Sequence, residues 1–463
     1  MTTARWVAYD VLRAVGESDA YANLLLPREI ARAGLDAADA GLATELTYGT
    51  LRRQGTYDAV IADAAGRAVT EIDPPVLDAL RLGVHQLLSM RVPSHAAVNE
   101  TVRQVRKSAG APAAGFANAV LRRVSERSTQ DWYERLDTQA RSDDERLALR
   151  FAHPVWVIRA FRRALAAEGR ADELEDLLEA DNDAPSVTMT ALPHLAEPPA
   201  GAERTPYSPV GFRLAGGDPA PIVAAAGGRV RVQDEGSQLA ALALSRARPI
   251  SRGERWLDLC AAPGGKTALL AAEAWSAGAA LEANEISHAR AGLVRDSVAG
   301  VPMAVPVSEE DGRERARHGR YDRILVDAPC TGLGALRRRP EARWRKSPAD
   351  VPELASLQSE LLHAAFGALA ADGIVAYVTC SPHLAETAAI VGDLKRAFPG
   401  EVEELDARTV LTEISATPID LPVPADGSGR AQLWPHRHGT DAMSISLLRR
   451  VRAAGDRDDR VIA

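Results

Sequence analysis

Apolar residues in the first 125 positions recur every three or four residues, which is the spacing of a helix with one buried face. The pattern is clear around Trp6, Leu46 and Leu80. Pro74 and Pro75 suit the first turn of the helix that follows them, because a missing backbone N–H costs nothing there. The sequence therefore predicts an all-α N-terminal region.

The middle of the chain changes character twice. Residues 127–150 are polar and charged and are expected to form a connector. A helical pattern resumes from Trp156 to Leu178, and the stretch from Pro185 to Val232 is punctuated by proline and glycine. Residues 151–232 are therefore expected to be helical and then to form a small α/β unit.

Beyond Gly236 short apolar runs alternate with helical segments, a pattern that predicts a mostly parallel, doubly wound sheet. The apolar runs expected to be strands are Arg255 to Leu259, Ala279 to Asn284, Arg323 to Val326 and Ile374 to Val378.

Composition is that of an ordinary globular protein. The chain has 463 residues, of which 46% are hydrophobic and 25% charged, and this length favours two to four domains. We find no pattern of a signal peptide and no run of about 20 apolar residues that predicts a membrane span. We therefore expect a cytoplasmic protein, by default a monomer. Three cysteines without a Cys/His cluster predict neither a disulfide framework nor a metal site.

A glycine-rich turn follows the first predicted strand, in the sequence Asp258-Leu-Cys-Ala-Ala-Pro-Gly-Gly-Lys-Thr267. It is not a P-loop, because Cys260 stands where that motif needs its first glycine. It also lacks the Gly-x-Gly-x-x-Gly of dinucleotide-binding folds. A helix beginning here favours a carboxylate, such as that of S-adenosylmethionine, and the acid Glu285 after the next strand suits ribose hydroxyls.

Two of the three cysteines lie in short motifs at the ends of predicted strands, Asp327-Ala-Pro-Cys330 and Thr379-Cys380-Ser-Pro382. A thiolate that adds to C6 of a cytosine activates C5 toward a methyl donor, which is covalent catalysis. Spacing does not tell which cysteine attacks, since DNA cytosine methyltransferases use the cysteine of a Pro-Cys motif. Lys266 is one of only four lysines in the chain, which suggests a need for a compact ammonium group.

The formal net charge of −8 argues weakly against a nucleic-acid partner, but the distribution of charge matters more. Arginines crowd into one stretch shortly after Cys330, with a tryptophan among them. A solvated loop is the plainer interpretation, whereas a phosphate and base-stacking surface is favoured beside a candidate thiol centre. The residues predicted to bind RNA are Arg337, Arg338, Arg339, Arg343 and Trp344.

Together these motifs resemble those of the RsmB-type members of the Nol/Nop/Sun family of ribosomal-RNA cytosine-C5 methyltransferases. The likeness covers nearly the whole chain and is most specific in the glycine turn and the two cysteine motifs. The first 126 residues resemble the NusB-like domain fused to that bacterial subgroup. Further segments that carry the likeness are Gly49-Thr-Leu-Arg-Arg53, Leu80-Arg-Leu-Gly83, Ala97-Val-Asn-Glu100, Gly115-Phe-Ala-Asn-Ala-Val-Leu-Arg122, His153-Pro154-x-Trp156 and Gln233-Asp-Glu-Gly-Ser-Gln238.

The resemblance implies a role for each matching residue. Cys380 would be the nucleophile and Cys330 would help to release the product, while Asp327 and Lys266 would contact the cytosine. Two positions depart from the family pattern, since the usual Glu-Asn appears as Glu386-Thr387 and an aromatic pair is replaced by Met443-Ser444. The residues implied to line the S-adenosylmethionine site are Cys260, Ala261, Ala262, Pro263, Gly264, Gly265, Lys266, Glu285, Asp311 and Asp327.

The resemblance also implies the domain order. It consists of a NusB-like helical domain (1–126), a connector (127–150), a middle domain with a small RRM-like α/β part (151–232), a class I, Rossmann-like methyltransferase domain (233–450) and a polar tail (451–463). The implied substrate is 16S ribosomal RNA. A transfer-RNA cytosine methyltransferase and a non-catalytic RNA-binding assembly factor are the two alternatives.

Overall fold

The computed structural model describes residues 3–18 and 20–451, so the expected polar tail lies outside the described residues except for Val451. The chain forms two compact units, and neither is continuous in sequence. The first unit comprises Met1–Arg159, Leu178–Ala184 and Leu336–Lys346. The second comprises Ala160–Leu177, Pro185–Ala335 and Ser347–Ala463.

The described chain is helical up to Ala180, and the apolar spacing predicts this for the first 125 residues and for the stretch from Trp156 to Leu178. Pro74 does occupy the first turn of its helix. Gly110 has a positive φ of 88° and kinks the longest helix, close to Pro112. The helices are α1 (Ala4–Ser18), α2 (Ala22–Ala33), α3 (Ala37–Arg52), α4 (Gln54–Ala65), α5 (Pro74–Leu88), α6 (Ser94–Ser125), α7 (Thr129–Gln139), α8 (Asp143–Phe151), α9 (Val155–Ala166) and α10 (Leu174–Ala180).

The stretch expected to be a connector, 127–150, is instead folded into α7 and α8. Trp132 and Leu136, one helical turn apart, are each only 1% exposed and belong to the hydrophobic core of the first unit. Ser128 and Asp131 cap α7 reciprocally. The expectation was wrong because two large apolar residues are enough to bury one stripe of a short helix, even where its other faces are polar.

The second unit contains a small antiparallel sheet in the order β2-β3-β1-β4. Its core is formed by Met189, Ala191, Phe212 and Val230. An RRM-like fold has two helices in the order βαββαβ, whereas this sheet has one, between its third and fourth strands, so the RRM likeness stays a prediction. The elements are β1 (Thr188–Ala191), β2 (Glu203–Arg204), β3 (Gly211–Arg213), α11 (Ala220–Ala225) and β4 (Val230–Val232).

The rest of the described chain alternates strands and helices, and the four predicted strands are confirmed. The elements are α12 (Glu235–Arg246), β5 (Arg255–Asp258), α13 (Gly265–Ala277), β6 (Ala280–Asn284), α14 (His288–Val298), β7 (Val307–Ser308), α15 (Gly312–Arg315), β8 (Tyr321–Asp327), α16 (Ala342–Arg345), α17 (Asp350–Gly367), β9 (Leu369–Thr379), α18 (Ala388–Ala397), β10 (Val402–Leu405), α19 (Ala407–Ile414), β11 (Ala431–Gln432), α20 (Pro435–His438) and β12 (Ser444–Arg450).

The large sheet of the second unit has the strand order β10-β12-β9-β8-β5-β6-β7, with β11 paired to β12. Strands β9, β8, β5, β6 and β7 are parallel, as predicted. Strand β12 runs antiparallel between β9 and β10. The fold is therefore the Rossmann-like doubly wound arrangement with one antiparallel strand added.

Both faces of this sheet are covered by hydrophobic cores. Along β9 the side chains alternate, so that Ile374, Ala376 and Val378 pack with α12 and α13, whereas Val375 and Tyr377 pack with α17 and α18 on the other face. A strand buried on both faces reads as a continuous apolar run, which is why it could be recognised in the sequence.

The chain reverses its direction of travel across the sheet at β5, with β6 on one side and β8 on the other. In doubly wound folds, ligands bind beyond the carboxyl ends of the strands at such a switch point. The loops that follow β5, β6, β8 and β9 are therefore where a site is expected. No helix among the described residues is long and apolar enough to span a membrane.

The arginine-rich segment 337–346, predicted to be an RNA surface, belongs to the first unit as part of Leu336–Lys346. Arg343 is fully buried. Its guanidinium donates to the carbonyl oxygens of Arg52 (2.7 Å), Ala152 (3.2 Å) and Asp181 (2.7 Å) and to Asn182 Oδ1 (2.7 Å). Burial lowers the pKa of Arg343 to about 10. Arg343 is therefore an internal anchor in this structure rather than a group that faces phosphates.

The neighbours of Arg343 are partly accessible. Arg337 is buried, whereas Arg338 is exposed and Trp344 is 38% exposed. Arg339 and Arg345 lie over the ring of Tyr21, at 5.6 and 4.9 Å from its centroid. RNA binding by Arg338, Arg339 and Trp344 stays a prediction, but Arg337 and Arg343 are removed from that surface by their burial.

We predict that Arg343→Ala destabilises the first unit by about 2–5 kcal/mol, because several buried carbonyl groups lose their donor at once. Urea unfolding of the full chain would measure the loss, and hydrogen–deuterium exchange would locate it at the helix ends near Arg52 and Ala152. Arg338→Ala, at an exposed neighbour, is the matched control and should change the free energy of unfolding by less than about 0.5 kcal/mol. Equal stability of the two variants would contradict the anchoring role.

Candidate active site

The predicted glycine turn does connect a strand to a helix, since β5 ends at Asp258 and α13 begins at Gly265. Gly264 has a φ of 101°, a backbone conformation that residues other than glycine rarely adopt. A Cβ atom added there would lie 2.5 Å from Ser297 Cβ and 3.0 Å from Val294 Cα. Glycine is therefore required for both conformation and space, and the turn brings the N-terminal backbone amides of α13 to the carboxyl end of the sheet.

Asp258 is fixed beneath this turn. It is buried, and Thr267 Oγ1 donates a hydrogen bond to Asp258 Oδ2 at 2.7 Å. Burial raises the pKa of Asp258 to about 7. Burial also raises the pKa of Cys260 far above its ordinary range, so this thiol stays protonated. The side chain of Cys260 packs against the hydrophobic core on one face of the sheet.

Asn284 ties together the loops after three strands. Its amide nitrogen donates to the carbonyl oxygens of Leu259 (3.2 Å) and Glu310 (3.0 Å). Its amide oxygen accepts from Ser308 Oγ at 2.8 Å. The neighbouring Glu285 is buried and accepts from the backbone N–H of Ser287 at 3.0 Å. The Asn284 amide therefore joins the loops that surround the acid expected to bind ribose.

Asp311 caps the short helix α15 and is paired with Arg313. The backbone N–H of Arg313 donates to Asp311 Oδ1 at 2.9 Å, and its guanidinium contacts both carboxylate oxygens. This hydrogen bonding lowers the pKa of Asp311. The loop of Asp311 is joined to that of Glu285 through Asn284, which accepts from the backbone N–H of Glu310 at 3.2 Å.

Lys266 and Asp327 form an ion pair at the switch point, with Lys266 Nζ 2.7 Å from Asp327 Oδ2. Lys266 comes from the glycine turn and Asp327 from the end of β8. Burial by itself would lower the pKa of Lys266, but attraction to Asp327 outweighs it and the pKa is raised. The structure therefore brings together the two residues that the resemblance implied for cytosine binding.

The two motif cysteines also meet. They follow the adjacent parallel strands β8 and β9, and the backbone N–H of Ala328 donates to Val378 O at 2.9 Å just before them. Cys330 Sγ and Cys380 Sγ lie 3.5 Å apart, within hydrogen-bond range for sulfur. Both thiols are part-exposed. Strand pairing thus brings together two cysteines that are fifty residues apart in the sequence.

The two sulfur atoms have different electrostatic surroundings. The pKa of Cys380 is lowered by a hydrogen bond from Cys330 and by the positive charge of Lys266, against burial and the negative charge of Asp327. The pKa of Cys330 is raised well above its ordinary value by that same hydrogen bond, by burial and by the negative charge of Glu386. Cys380 is therefore the better thiolate of the pair, and only a thiolate is an effective nucleophile.

Glu386 is a site residue that sequence reasoning missed. It is 0% exposed and accepts hydrogen bonds from the backbone N–H of Thr331 (2.8 Å), from Thr331 Oγ1 (2.5 Å) and from Ser381 Oγ (2.6 Å). In the sequence this residue stands out only as part of a departure from the family's Glu-Asn pair. Its proximity to the Thr-Cys-Ser motif was the signal available, but a single acid among the 63 acidic residues of the chain is not distinctive.

Gly334 closes the site from another side. Its backbone N–H donates to Cys380 O at 2.8 Å, and its own carbonyl accepts from Ala442 N at 2.9 Å. A Cβ atom on Gly334 would lie 2.0 Å from Ala442 O, so only glycine fits. Next to it, the backbone N–H of Asp441 contacts the carboxylate of Asp234 at 3.2 Å. The motifs around Asp234 and Asp441 are thus neighbours of the cysteine loops.

The family described as 16S rRNA methyltransferase RsmB/F matches residues 248–449, and the NusB family matches residues 2–126. The chain is 33% identical over 420 residues to the ribosomal RNA small subunit methyltransferase B of Pseudomonas putida, covering 88% of this chain and 91% of that protein. The chain belongs to the RsmB/F methyltransferase family.

Three further proteins are similar to much of this chain. A putative methyltransferase of Mycobacterium tuberculosis is 48% identical over 455 residues, covering 97% of this chain and 96% of that protein. The solved structure of PH0851 has a TM-score of 0.78 at 23% identity and covers 96% of this chain and 98% of its own. NSun6 from Pyrococcus horikoshii, solved with SFG, has a TM-score of 0.53 at 16% identity and covers 64% and 98%. As an RsmB/F member, the chain is an S-adenosylmethionine-dependent RNA methyltransferase.

We predict that the cysteines of this RsmB/F methyltransferase alkylate in a fixed order as pH rises. The midpoint for Cys380 should lie below the ordinary thiol value of about 8.5, and those for Cys330 and Cys260 above it. Iodoacetamide labelling across a pH series, quantified peptide by peptide by mass spectrometry, would measure the three midpoints.

Removing the ammonium in Lys266→Met should raise the midpoint of Cys380, because a stabilising positive charge is lost. Lys395→Met is the matched control, since that lysine pairs with Glu404 on the far strand β10. A lower midpoint for Cys330 than for Cys380 in the unchanged protein would contradict the electrostatic argument.

Proposed function

We propose that this chain methylates C5 of a cytosine in small-subunit ribosomal RNA through a covalent bond between Cys380 Sγ and C6 of the ring. The observation that carries the proposal is the 3.5 Å contact between the two sulfur atoms, next to the ion pair of Lys266 and Asp327. Two thiols of unlike pKa match a reaction in which one sulfur attacks and must later leave.

The residues at the switch point fit S-adenosylmethionine. The first turn of α13 offers backbone N–H groups to a carboxylate, and Gly264 lets the turn that precedes it pack closely against Ser297 and Val294. Glu285 stands at the end of β6, where an acid suits ribose hydroxyls, and Asp311 follows β7. When bound, S-adenosylmethionine supplies a methyl group on a positively charged sulfur. The structure of NSun6 with SFG, an analogue of that molecule, supports this assignment.

Cys380 acts first in the proposed reaction. Its thiolate adds to C6, and the ring carries the electron pair toward C5 and the N3 edge. Lys266 and Asp327 form their ion pair at the switch point of the sheet, where it can stabilise the charge that develops on the base. C5 then receives the methyl group and gives up its proton to a base.

Cys330 acts in product release. The bond between C6 and Cys380 Sγ breaks, its electrons return to sulfur, and the C5–C6 double bond forms again. A neutral thiol 3.5 Å away can donate a hydrogen bond to the departing thiolate. The raised pKa of Cys330 keeps its proton available for that role.

Ribosomal RNA is the proposed substrate. The relative from Pseudomonas putida is named for the small ribosomal subunit, and the matching family is described by 16S rRNA. The target cytosine must be unpaired or turned out of its helix, because a thiol cannot reach C6 within a stack. The exposed Trp344 and Arg338 remain candidates for contacts to the flanking RNA.

We predict that Cys380→Ala abolishes methyl transfer and that Cys330→Ala accumulates a covalent protein–RNA adduct. The first variant lacks the nucleophile, whereas the second lacks the donor that assists its departure. Denaturing gels of each variant with labelled 16S RNA and S-adenosylmethionine would show the adduct as a shifted band. Cys260→Ala is the matched control and should form no adduct. An adduct in the Cys380 variant would reverse the two roles.

We also predict that deletion of the gene removes one or more 5-methylcytosines from 16S RNA and leaves transfer RNA unchanged. Bisulfite sequencing of both RNA classes would measure this, and return of the unchanged gene should restore the mark. Loss of a transfer-RNA mark instead would establish the alternative substrate. Unchanged methylation in both classes would indicate a non-catalytic assembly factor.

A further inference from the structure

Glu386 is a buried acid that the proposed reaction does not use. Its Oε1 accepts from the backbone N–H of Thr331 and from Gln358 Nε2, at 2.8 and 3.2 Å. Its Oε2 accepts from Thr331 Oγ1 and Ser381 Oγ, at 2.5 and 2.6 Å. An ionised carboxylate has about four acceptor sites and no donor, which matches these four donors. The side chain is therefore saturated by groups that surround it.

The identity of the donors is what matters. Thr331 directly follows Cys330, and Ser381 directly follows Cys380. The two hydroxyl groups also lie 3.1 Å from each other. One carboxylate thus binds the residue after each cysteine, so both loops are held by the same two oxygen atoms.

The backbone of Glu386 is itself fixed. Tyr377, on β9, donates its hydroxyl to Glu386 O at 2.7 Å. Gln358, on α17, donates to Pro329 O at 2.8 Å as well as to the carboxylate. The carboxylate is therefore held from the strand that carries Cys380 and from the helix that contacts the loop of Cys330. Both the backbone and the carboxylate of Glu386 are therefore fixed by hydrogen bonds.

We propose that Glu386 is a positioning residue that holds the loop of Cys330 against the loop of Cys380 and so sets the contact between the two sulfur atoms. This inference rests on the proposed function only for its purpose. The geometric part concerns two thiols and a carboxylate, and it can be tested without RNA or methyl transfer.

The charge of Glu386 has a second effect. A negative group near Cys330 raises the pKa of that thiol, whereas the positive Lys266 lowers that of Cys380. The same side chain that fixes the distance therefore also helps to keep Cys330 protonated. A residue that only filled space would have the first effect without the second.

We predict that Glu386→Gln slows disulfide formation between Cys330 and Cys380 at least tenfold. The amide keeps the shape of the side chain but replaces an acceptor by a donor, which faces either the Thr331 N–H or the two hydroxyls. In the test, diamide oxidises the two thiols, which lose two protons and two electrons and form one S–S bond, and is reduced to the hydrazine. Mass spectrometry of the linked peptide in a Cys260→Ser background gives the rate.

Controls separate positioning from a general loss of structure. Glu403→Gln changes a partly exposed glutamate of β10 that pairs with Arg449 and should leave the cross-linking rate unchanged. Circular dichroism would establish that each variant is folded. Should Glu386→Gln fail to fold, the double variant Thr331→Val/Ser381→Ala removes the two hydroxyl donors and should slow cross-linking at least threefold. A folded Glu386→Gln protein, or failing that a folded double variant, that cross-links within twofold of the unchanged protein overturns the proposal.

The alkylation profile provides the readout that packing alone would not move. Loss of the negative charge should lower the pH midpoint of Cys330 in Glu386→Gln and leave that of Cys380 nearer its original value. A packing defect would instead speed the labelling of both cysteines without moving the Cys330 midpoint, and that result would also overturn the proposal. Failure of the proposed function would give a different result. The unchanged protein would then still cross-link rapidly, but the Cys330→Ala variant would form no adduct with 16S RNA.

Discussion

The parallel pairing of β8 with β9 is the constraint on which the site depends. Hydrogen bonding between these strands extends as far as Asp327 and Val378, so the loops that follow them leave the sheet side by side. Each loop carries a cysteine three or fewer residues beyond its strand, and neither has the length to diverge far. The contact between the sulfur atoms therefore depends on the register of β8 against β9. A shift of either strand by one residue would turn its side chains to the opposite face of the sheet.

Electrostatics then distinguishes two chemically identical side chains. The hydrogen bond between the two thiols lowers the pKa of Cys380 and raises that of Cys330. Lys266, from the glycine turn, and Glu386, from the loop after β9, add to this difference in the same direction. Asp327 moderates the effect of Lys266 by pairing with it. The difference in thiol acidity thus arises first from the contact between the two thiols, and nearby charged groups on separate elements modify it.

The sequence was sufficient for those parts of the molecule that rely on local pattern. The buried strands read as apolar runs, the glycine turn as a strand-to-helix junction, and the two cysteine motifs as strand ends. It did not reveal that 127–150 is folded, because Trp132 and Leu136 are a sparse signal in polar surroundings. It also misplaced Arg343, since an arginine that donates to buried carbonyl groups looks identical, in sequence, to one that faces phosphate. Glu386 acquires its partners only through tertiary contacts.

The assignment of 336–346 to the first unit has a consequence for dissecting this protein. The chain leaves the second unit after Ala335 and rejoins it at Ser347, between two elements of the large sheet domain. A single cut near residue 160 would therefore separate Arg343 from its acceptors. The N-terminal fragment would keep the carbonyl groups of Arg52 and Ala152 without their donor, and the C-terminal fragment would keep Arg343 without these two acceptors. Exchanging N-terminal domains among relatives should accordingly require transplanting both Leu178–Ala184 and this eleven-residue segment as well.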